Sequence, residues 1–418
     1  MAYYLYLTFI ASYFSHLGSR VPALGAIRFD LLLLAAIFAL ILLGGGRQNQ
    51  PKVGSTHTIL AILAAYVVLT LPLVRWPGSV LGHGIPNFIK AVVFYYYTVA
   101  LIDSPKKLRG LVWVFVLTML FRVVEPYYLH MTTGYWGDST TMSEGVMLDR
   151  LSGSPYDFIN PNGLAFVITS IFPFLHYLGF TSSIAARLLY WASLPVLVHA
   201  LVLTASRTGF LAFGIILAGI FMRSRKKIWL ALVVVAVIAI GYGSLSDLQK
   251  DRYLSIFRSD VPGAVTARGR NDAVWDCFMA GMARPIFGHG LGTSLELNTH
   301  VFGNSQPAHN LYAETFQELG AIGLVIVIAL VISIAANFRR AREELTRTPG
   351  VDPFLEQLAR AMEVWLLMNV LFSWASYGLS SYEWYLFGGL SVAFRRLAAE
   401  VAAEETGEVA SEVVPVAV

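Results

Sequence analysis

Residues 309–342 read HNLYAETFQELGAIGLVIVIALVISIAANFRRAR. No charged residue stands between Glu318 and Arg339. An apolar run of this length crosses a bilayer as an α-helix and is too long for a barrel strand. A histidine heads the run and arginines close it, so its two ends are chemically distinct. Similar runs recur throughout the 418 residues, which are 56% hydrophobic and only 13% charged. A mean hydropathy of +0.62 lies outside the soluble globular range. The expected fold is an all-α polytopic membrane protein with about twelve transmembrane helices. The spans fall near 2–18, 29–45, 56–75, 85–102, 110–127, 162–180, 186–205, 208–223, 227–243, 310–336, 359–378 and 381–395.

Basic residues set the orientation. Lys106, Lys107 and Arg109 lie in one loop, Arg223, Arg225, Lys226 and Lys227 in another, and Arg339, Arg340 and Arg342 in a third. Arg395 and Arg396 close the last span. With alternating spans all four groups share one side, which the positive-inside bias makes cytoplasmic. Arg20 and Arg28 fall on the other side and run against this pattern. Residues 1–243 then hold nine spans with a short outer loop near 128–161. Residues 244–309 form a large, partly helical outer loop, 310–396 the last three spans, and 397–418 a fraying cytoplasmic tail. Within the large loop, Val274, Trp275, Phe278, Met279 and Met282 recur at helical spacing from Asn271 to Ala283, with Asn271 or Asp272 as the cap.

Other classes are excluded on simple grounds. The net charge of +4 reflects short basic loops and does not suggest nucleic acid. A single cysteine, Cys277, permits no intrachain disulfide. The N-terminus lacks the basic region and cleavage site of a signal peptide. No Walker A, Rossmann or GxSxG pattern occurs. His289, His300 and His309 have no coherent metal-ligand spacing, so no zinc site is expected.

The outer loops gather the residues able to carry chemistry. His309 precedes a long helix, whose dipole disfavours imidazolium and favours a neutral, proton-accepting ring. An interfacial histidine bonded to a loop carbonyl fits the same local sequence. Arg270 stands at the start of the expected loop helix, where a cation opposes the dipole. Its guanidinium suits a diphosphate, though a solvated loop arginine is the commoner use. Arg268 has the same chemistry. Arg207 lies between two spans in Ser206-Arg207-Thr208-Gly209; an arginine snorkelling to the interface is the common use, but the outer side is where arginine is less expected. Glu314 can orient a substrate hydroxyl, and Glu318-Leu319-Gly320 can shape helix packing. Arg122 and Glu125 are spaced to pair on one helix. Tyr135 and Trp136 can stack on sugars or form part of an aromatic belt. His199, beside Pro195, reads as a satisfied core histidine.

The segments SRTGFLAFGI at 206–215, GRNDAVWDCFMAGMARPIFGHGLGTS at 269–294 and AHNLYAETFQELGAIGL at 308–324 resemble, in this order, the O-antigen ligase and O-antigen polymerase superfamily. The resemblance implies a GT-C-type, metal-independent glycosyltransferase without a cofactor. Its donor would be an undecaprenyl-diphosphate-linked glycan and its site would face the periplasm from the bacterial inner membrane. By position it implies His309 as the catalytic base and Arg207 and Arg270 as diphosphate ligands. Arg268, Glu314, Arg122, Tyr135 and Trp136 are further candidate substrate contacts. One departure is that Arg270 stands five residues before Trp275, where many members have four, which reopens the choice between Arg268 and Arg270. The segment GSPYDFINPNGLAF at 153–166 resembles a variant of the Asp-Pro-Asn segment in ligase-like proteins of exopolysaccharide and protein-sorting systems.

The expected reaction is therefore that of an O-antigen ligase, with lipid A–core as acceptor and membrane lipid around it. A polymerase or a protein O-oligosaccharyltransferase of the same superfamily is the alternative. A lipid or polysaccharide transporter is the alternative from another class. A transporter would more often place charges at mid-membrane or use broken helices in pairs, whereas these charges gather at one face.

Overall fold

Helices make up most of the described residues, the form a backbone takes where it must supply its own hydrogen-bond partners. The structure is a computed structural model that describes residues 1–44, 54–141, 147–179, 183–224, 227–228, 232, 235, 243, 245–255, 264–303, 309–375 and 378–412. Helices stand at every expected span except 227–243, most of which lies outside the described residues. Among the described residues, Pro161–Gly179, Ile184–Leu203 and Leu311–Arg347 are long and apolar enough to cross a membrane. Phe29–Leu43 and Ser55–Leu69 are shorter apolar helices.

Two compact units alternate along the sequence. The first comprises Met1–Gly44, Arg109–Arg268 and Arg360–Leu371, the second Gly45–Leu108, Gly269–Ala359 and Phe372–Val418. In the first unit, Ala2–Ser15 packs on Phe29–Leu43. Leu31, Leu32, Phe38, Leu42 and Leu43 of the latter stay exposed, an apolar surface suited to lipid. Pro161–Gly179 is buried along most of its length between Ile184–Leu203 and Arg207–Arg223. At Gly209 a Cβ would approach Ala165 Cβ to 2.4 Å, so glycine permits this close helix contact.

Between Thr133 and Pro161 the chain forms an antiparallel ribbon of β1, Gly137–Thr141, and β2, Met147–Leu151, with Gly137 opposite Leu151. The sequence reading has no strands here, because GDSTT in β1 carries no alternating apolar pattern. β2 alone alternates, turning Leu148 and Arg150 inward.

In the second unit, Tyr382–Glu412 packs against Ile85–Leu101 and Leu311–Arg347, and the latter also packs against Ser55–Leu69. Polar side chains join these apolar helices. Asn337 Nδ2 donates to Thr56 Oγ1 at 2.9 Å and Ser391 Oγ at 3.2 Å, and Ser333 bonds Ser55 and Thr56. Small polar groups of this kind tie helices together where lipid offers no hydrophobic driving force. Arg395 Nη1 donates to Asn337 Oδ1 at 3.2 Å, and Arg396 bonds the Val99 and Ile102 carbonyls. The basic groups near 106, 339 and 395 therefore share one end of this unit, opposite the His309 end of Leu311–Arg347.

Two local expectations change. The outer-loop helix spans Ala264–Met282, so Asn271 and Asp272 are interior residues, not caps. Ala264 to Ala267 are compatible with helix, and Gly269 costs only about 1 kcal/mol inside it. The last helix runs on to Glu412 instead of fraying after Arg396, because its Ala and Glu content favours helix.

Candidate functional site

Arg207 begins the helix Arg207–Arg223, and Ser206 caps it by accepting from the Gly209 N–H at 3.2 Å. A cation in a first turn opposes the helix dipole, an arrangement that gains when an anion joins it. The arginine does not snorkel: it is buried, and its Nη1 donates to Ser255 Oγ at 2.6 Å. The turn before it is strained, with Ala205 at φ 45. Two further buried arginines hold that turn. Arg150 Nε donates to the Thr204 carbonyl at 2.8 Å, and Arg252 Nε to the Ala205 carbonyl at 2.8 Å. Arg150 also donates to Thr140 Oγ1 at 3.1 Å and Asn162 Oδ1 at 3.0 Å, while Ser206 Oγ donates to Asn162 Oδ1 at 2.8 Å. A non-glycine residue in this conformation costs on the order of 1–3 kcal/mol and persists where its surroundings over-determine it. Sequence reasoning missed Arg150 and Arg252, whose carbonyl partners lie some fifty residues away in the chain.

His309 occupies the second such position, in the other unit. It has φ 50, is half-buried, and directly precedes Asn310, the cap of Leu311–Arg347. Asn310 Oδ1 accepts from the Tyr312 and Ala313 N–H groups at 3.0 Å, and its Nδ2 donates to the Trp374 carbonyl at 3.2 Å. The Leu311 N–H donates to the Ser373 carbonyl at 2.9 Å. The chain on the C-terminal side of His309 is thus fixed from two directions. Glu314, one turn on, packs its carboxylate against Gly378, where a Cβ would come within 2.1 Å of Oε1. Arg270 lies in the interior of Ala264–Met282, so the dipole argument for it fails and passes to Arg207. Arg268 is four residues into the same helix.

A loop and a helix break support the His309 end. Leu311–Arg347 breaks at Gly320, at φ 66 and ψ −169. A side chain there would meet the Ile286 carbonyl at 2.3 Å. The groups freed by the break find partners: the Ala321 N–H donates to the Pro285 carbonyl at 2.8 Å and Tyr66 Oη to the Leu319 carbonyl at 2.7 Å. Glu318 accepts from the N–H groups of Gly292 at 2.7 Å and Ser294 at 3.2 Å. Glu318-Leu319-Gly320 thus shapes packing, as its sequence suggests. His289 is buried in this turn, with Nε2 at 3.0 Å from the Ala280 carbonyl. Burial pushes its imidazole below the usual range, and the charges of Arg284 and Arg75 add to the effect. Cys277 is also buried, which raises its thiol to about 11 and leaves it a poor nucleophile. Among the described residues, no three His, Cys, Asp or Glu side chains are grouped to hold a metal ion.

The first unit contains a separate ionic cluster. Arg122 does not pair with Glu125. Its Nε and Nη2 grip both oxygens of Asp157 at 2.6 and 3.0 Å, and Glu125 takes a two-point pair from Arg20 at 2.5 Å. His16 Nε2 lies 3.2 Å from Asp157 Oδ1. Burial alone would raise the Asp157 carboxyl, but bonds from His16 and Arg122 and their charges outweigh it and hold it at about 2. Tyr135 Oη donates to the Gly153 carbonyl at 2.8 Å, and the Trp136 carbonyl accepts from the Ser152 N–H at 2.9 Å. These two aromatics therefore clamp β1 to the segment after β2. His199 is satisfied by the Tyr127 hydroxyl at 3.0 Å.

Arg122→Met is expected to lower stability by about 3–5 kcal/mol, because Asp157 is left buried without its main partner. Adding Asp157→Asn should recover part of the loss. Thermal unfolding in detergent checks both, and an unchanged midpoint in Arg122→Met refutes the pair's role. The sign with pH follows from the depressed carboxyl. Its unfolded value is about 3.9, so the contribution is complete above about pH 4 and is lost as pH falls through about 2.

Residues 192–328 match the family model described as O-antigen ligase. This segment belongs to the O-antigen ligase and polymerase superfamily. No curated protein matches the chain. The match supports glycosyl transfer of the ligase or polymerase type by a membrane protein. The O-antigen ligase segment holds Arg207, Arg268, Arg270, His309 and Glu314, together with Arg252, the Gly288–Gly292 turn and the break at Gly320. Arg122, Tyr135, Trp136 and Arg150 lie before it.

Proposed function

We propose that this protein transfers a preassembled glycan from undecaprenyl diphosphate to lipid A–core at the periplasmic face of the bacterial inner membrane, as a multi-pass, GT-C-type enzyme. The observation that carries the reading is Arg207: a buried arginine in the first turn of a helix, on a strained turn fixed by Arg150 and Arg252, inside the O-antigen ligase segment. Such a site favours a multiply charged anion such as a diphosphate.

In the proposed reaction, His309 takes the proton from an acceptor hydroxyl. That oxygen forms a bond to the anomeric carbon of the donor, and the bond from that carbon to the diphosphate oxygen breaks, with inversion. Undecaprenyl diphosphate departs with the bonding electron pair. Arg207 and Arg270 compensate the charge that grows on it, the electrostatic contribution that usually dominates such catalysis. The leaving group is already a stable anion, so the scheme calls for neither a metal nor a general acid.

A strain lacking the gene tests the acceptor. It should accumulate polymerised glycan on undecaprenyl diphosphate and leave lipid A–core uncapped, as read from gel profiles of surface glycan. Core capped with a single repeat would replace the ligase reading with a polymerase. An unchanged core profile with a shifted glycoprotein band would replace it with a protein O-oligosaccharyltransferase.

A further inference from the structure

The segment between β2 and Pro161 lines a cleft, more open than enclosed, that the reaction scheme does not use. The cavity has a volume of about 360 Å³ and lies wholly within the first unit. Tyr135, Asp138, Ser152, Ser154, Phe158 and Asn160 line it. The walls are built closely. A Cβ on Gly153 would meet the Asp157 carbonyl at 2.0 Å, and one on Gly137 would meet Ser152 Oγ at 2.3 Å. Ser154 accepts from Arg20 at 3.3 Å, so the ionic cluster of Arg20, Glu125, Arg122 and Asp157 backs the cavity and fixes its floor. Phe158 is the exception to this packing. It is 90% exposed, beside a residue as buried as Asp157. A phenyl ring at the edge of a polar cleft exposes apolar area that the described residues leave uncovered.

The ligand chemistry follows from the lining. The volume is at the lower end of small-molecule sites, which run from about 300 to 1,000 Å³. It suits one or two sugar rings. The polar lining is rich in acceptors: the Asp138 carboxylate, the Asn160 side chain and the serine oxygens. Sugar hydroxyls are donors that match them. The aromatic faces of Tyr135 and Phe158 suit the C–H face of a pyranose. The Asp138 carboxylate makes an anionic ligand unfavourable. We propose that this cavity is a binding subsite for a neutral hexose unit of a glycan. The proposal rests on the transferase reading for the source of that glycan, which is either the donor's repeat unit or the acceptor's core oligosaccharide.

The experiment uses the full-length protein in nanodiscs. Two probes are offered separately: the repeat-unit oligosaccharide released by mild acid from the host's lipid-linked glycan, and the free core oligosaccharide. Saturation-transfer NMR should show transfer to ring C–H protons of one probe, which identifies the source. Phe158→Ala and Asp138→Asn should each weaken that probe's binding about fivefold to tenfold. Phe158→Ala should leave the unfolding midpoint unchanged, as its ring is exposed, and Asp138→Asn keeps the acceptor that Ser139 N–H uses. In turnover, the same variants should raise KM for the matching substrate and leave kcat within about twofold.

Failure of the site and failure of the reaction scheme look different. Normal KM in both variants of an active enzyme overturns the subsite and leaves the transferase reading intact. Probe binding that depends on Phe158, in a protein without transferase activity, keeps the subsite and removes that reading. No saturation transfer to either probe overturns the subsite. So does a Phe158→Trp variant whose added emission is quenched by brominated lipid and unmoved by either oligosaccharide, since the ring is then a bilayer anchor.

Discussion

His309→Asn is expected to cut glycan transfer by about 10²–10⁴-fold while donor binding and expression persist, the usual loss on removing a general base. Asparagine is the informative replacement. His309 sits at φ 50, and asparagine is among the few non-glycine residues that visit this region readily. The variant therefore keeps the backbone at the head of Leu311–Arg347 and removes only the imidazole. His309→Ala should show the same kinetic loss with some added loss of thermal stability. If both variants turn over at near-normal rates, His309 has no part in proton transfer. If His309→Asn is active and His309→Ala is not, the residue serves the turn and not the chemistry.

The second large effect concerns the arginines. Arg207→Lys and Arg270→Lys keep the charge and lose the planar fork, and each should reduce turnover by about 10²–10³-fold, as loss of a preorganised transition-state donor does. Arg268→Lys should be milder. For Arg207 the expectation has a structural basis. Lysine retains the unfavourable cation in a helix first turn but has a single nitrogen, where arginine can bond Ser255 through one nitrogen and face an anion with the others. A reversed ranking of 268 and 270 means that the other arginine meets the diphosphate. Initial rates with purified lipid-linked donor, measured with and without EDTA, decide both points. Abolition by the chelator and recovery with a divalent ion would overturn the metal-free scheme.

The apolar architecture was legible because it depends on local composition. The run from Ala321 to Ala336, without a charged residue, requires a helix, and a helix stands there. His309 at a helix head was legible for the same reason, and so was the role of Glu318-Leu319-Gly320 in packing. What escaped were relations made through distant chain. Arg150 shows no local sign that it will bond the Thr204 carbonyl, and Arg122 has a plausible partner in Glu125 but takes Asp157, 35 residues on. The ribbon of β1 and β2 escaped because its polar strand has no alternation. The start of Ala264–Met282 was misplaced because Asn271 and Asp272 look like caps, although propensity tolerates both inside a helix. Misplacing that start also gave Arg270 an argument that belongs to Arg207.

The alternation of the two units along the sequence has a consequence for biosynthesis. The first unit acquires its last segment only with Arg360–Leu371, and the second needs Phe372–Val418. During translation neither body can finish its interior until most of the polypeptide has left the ribosome. Early helices must wait in the insertion machinery or beside it with faces that later helices will cover. A chain stopped before residue 360 therefore lacks a segment of each unit. Co-expressed gene fragments divided at residue 44 or 108 should regain function only when both pieces enter the same bilayer together.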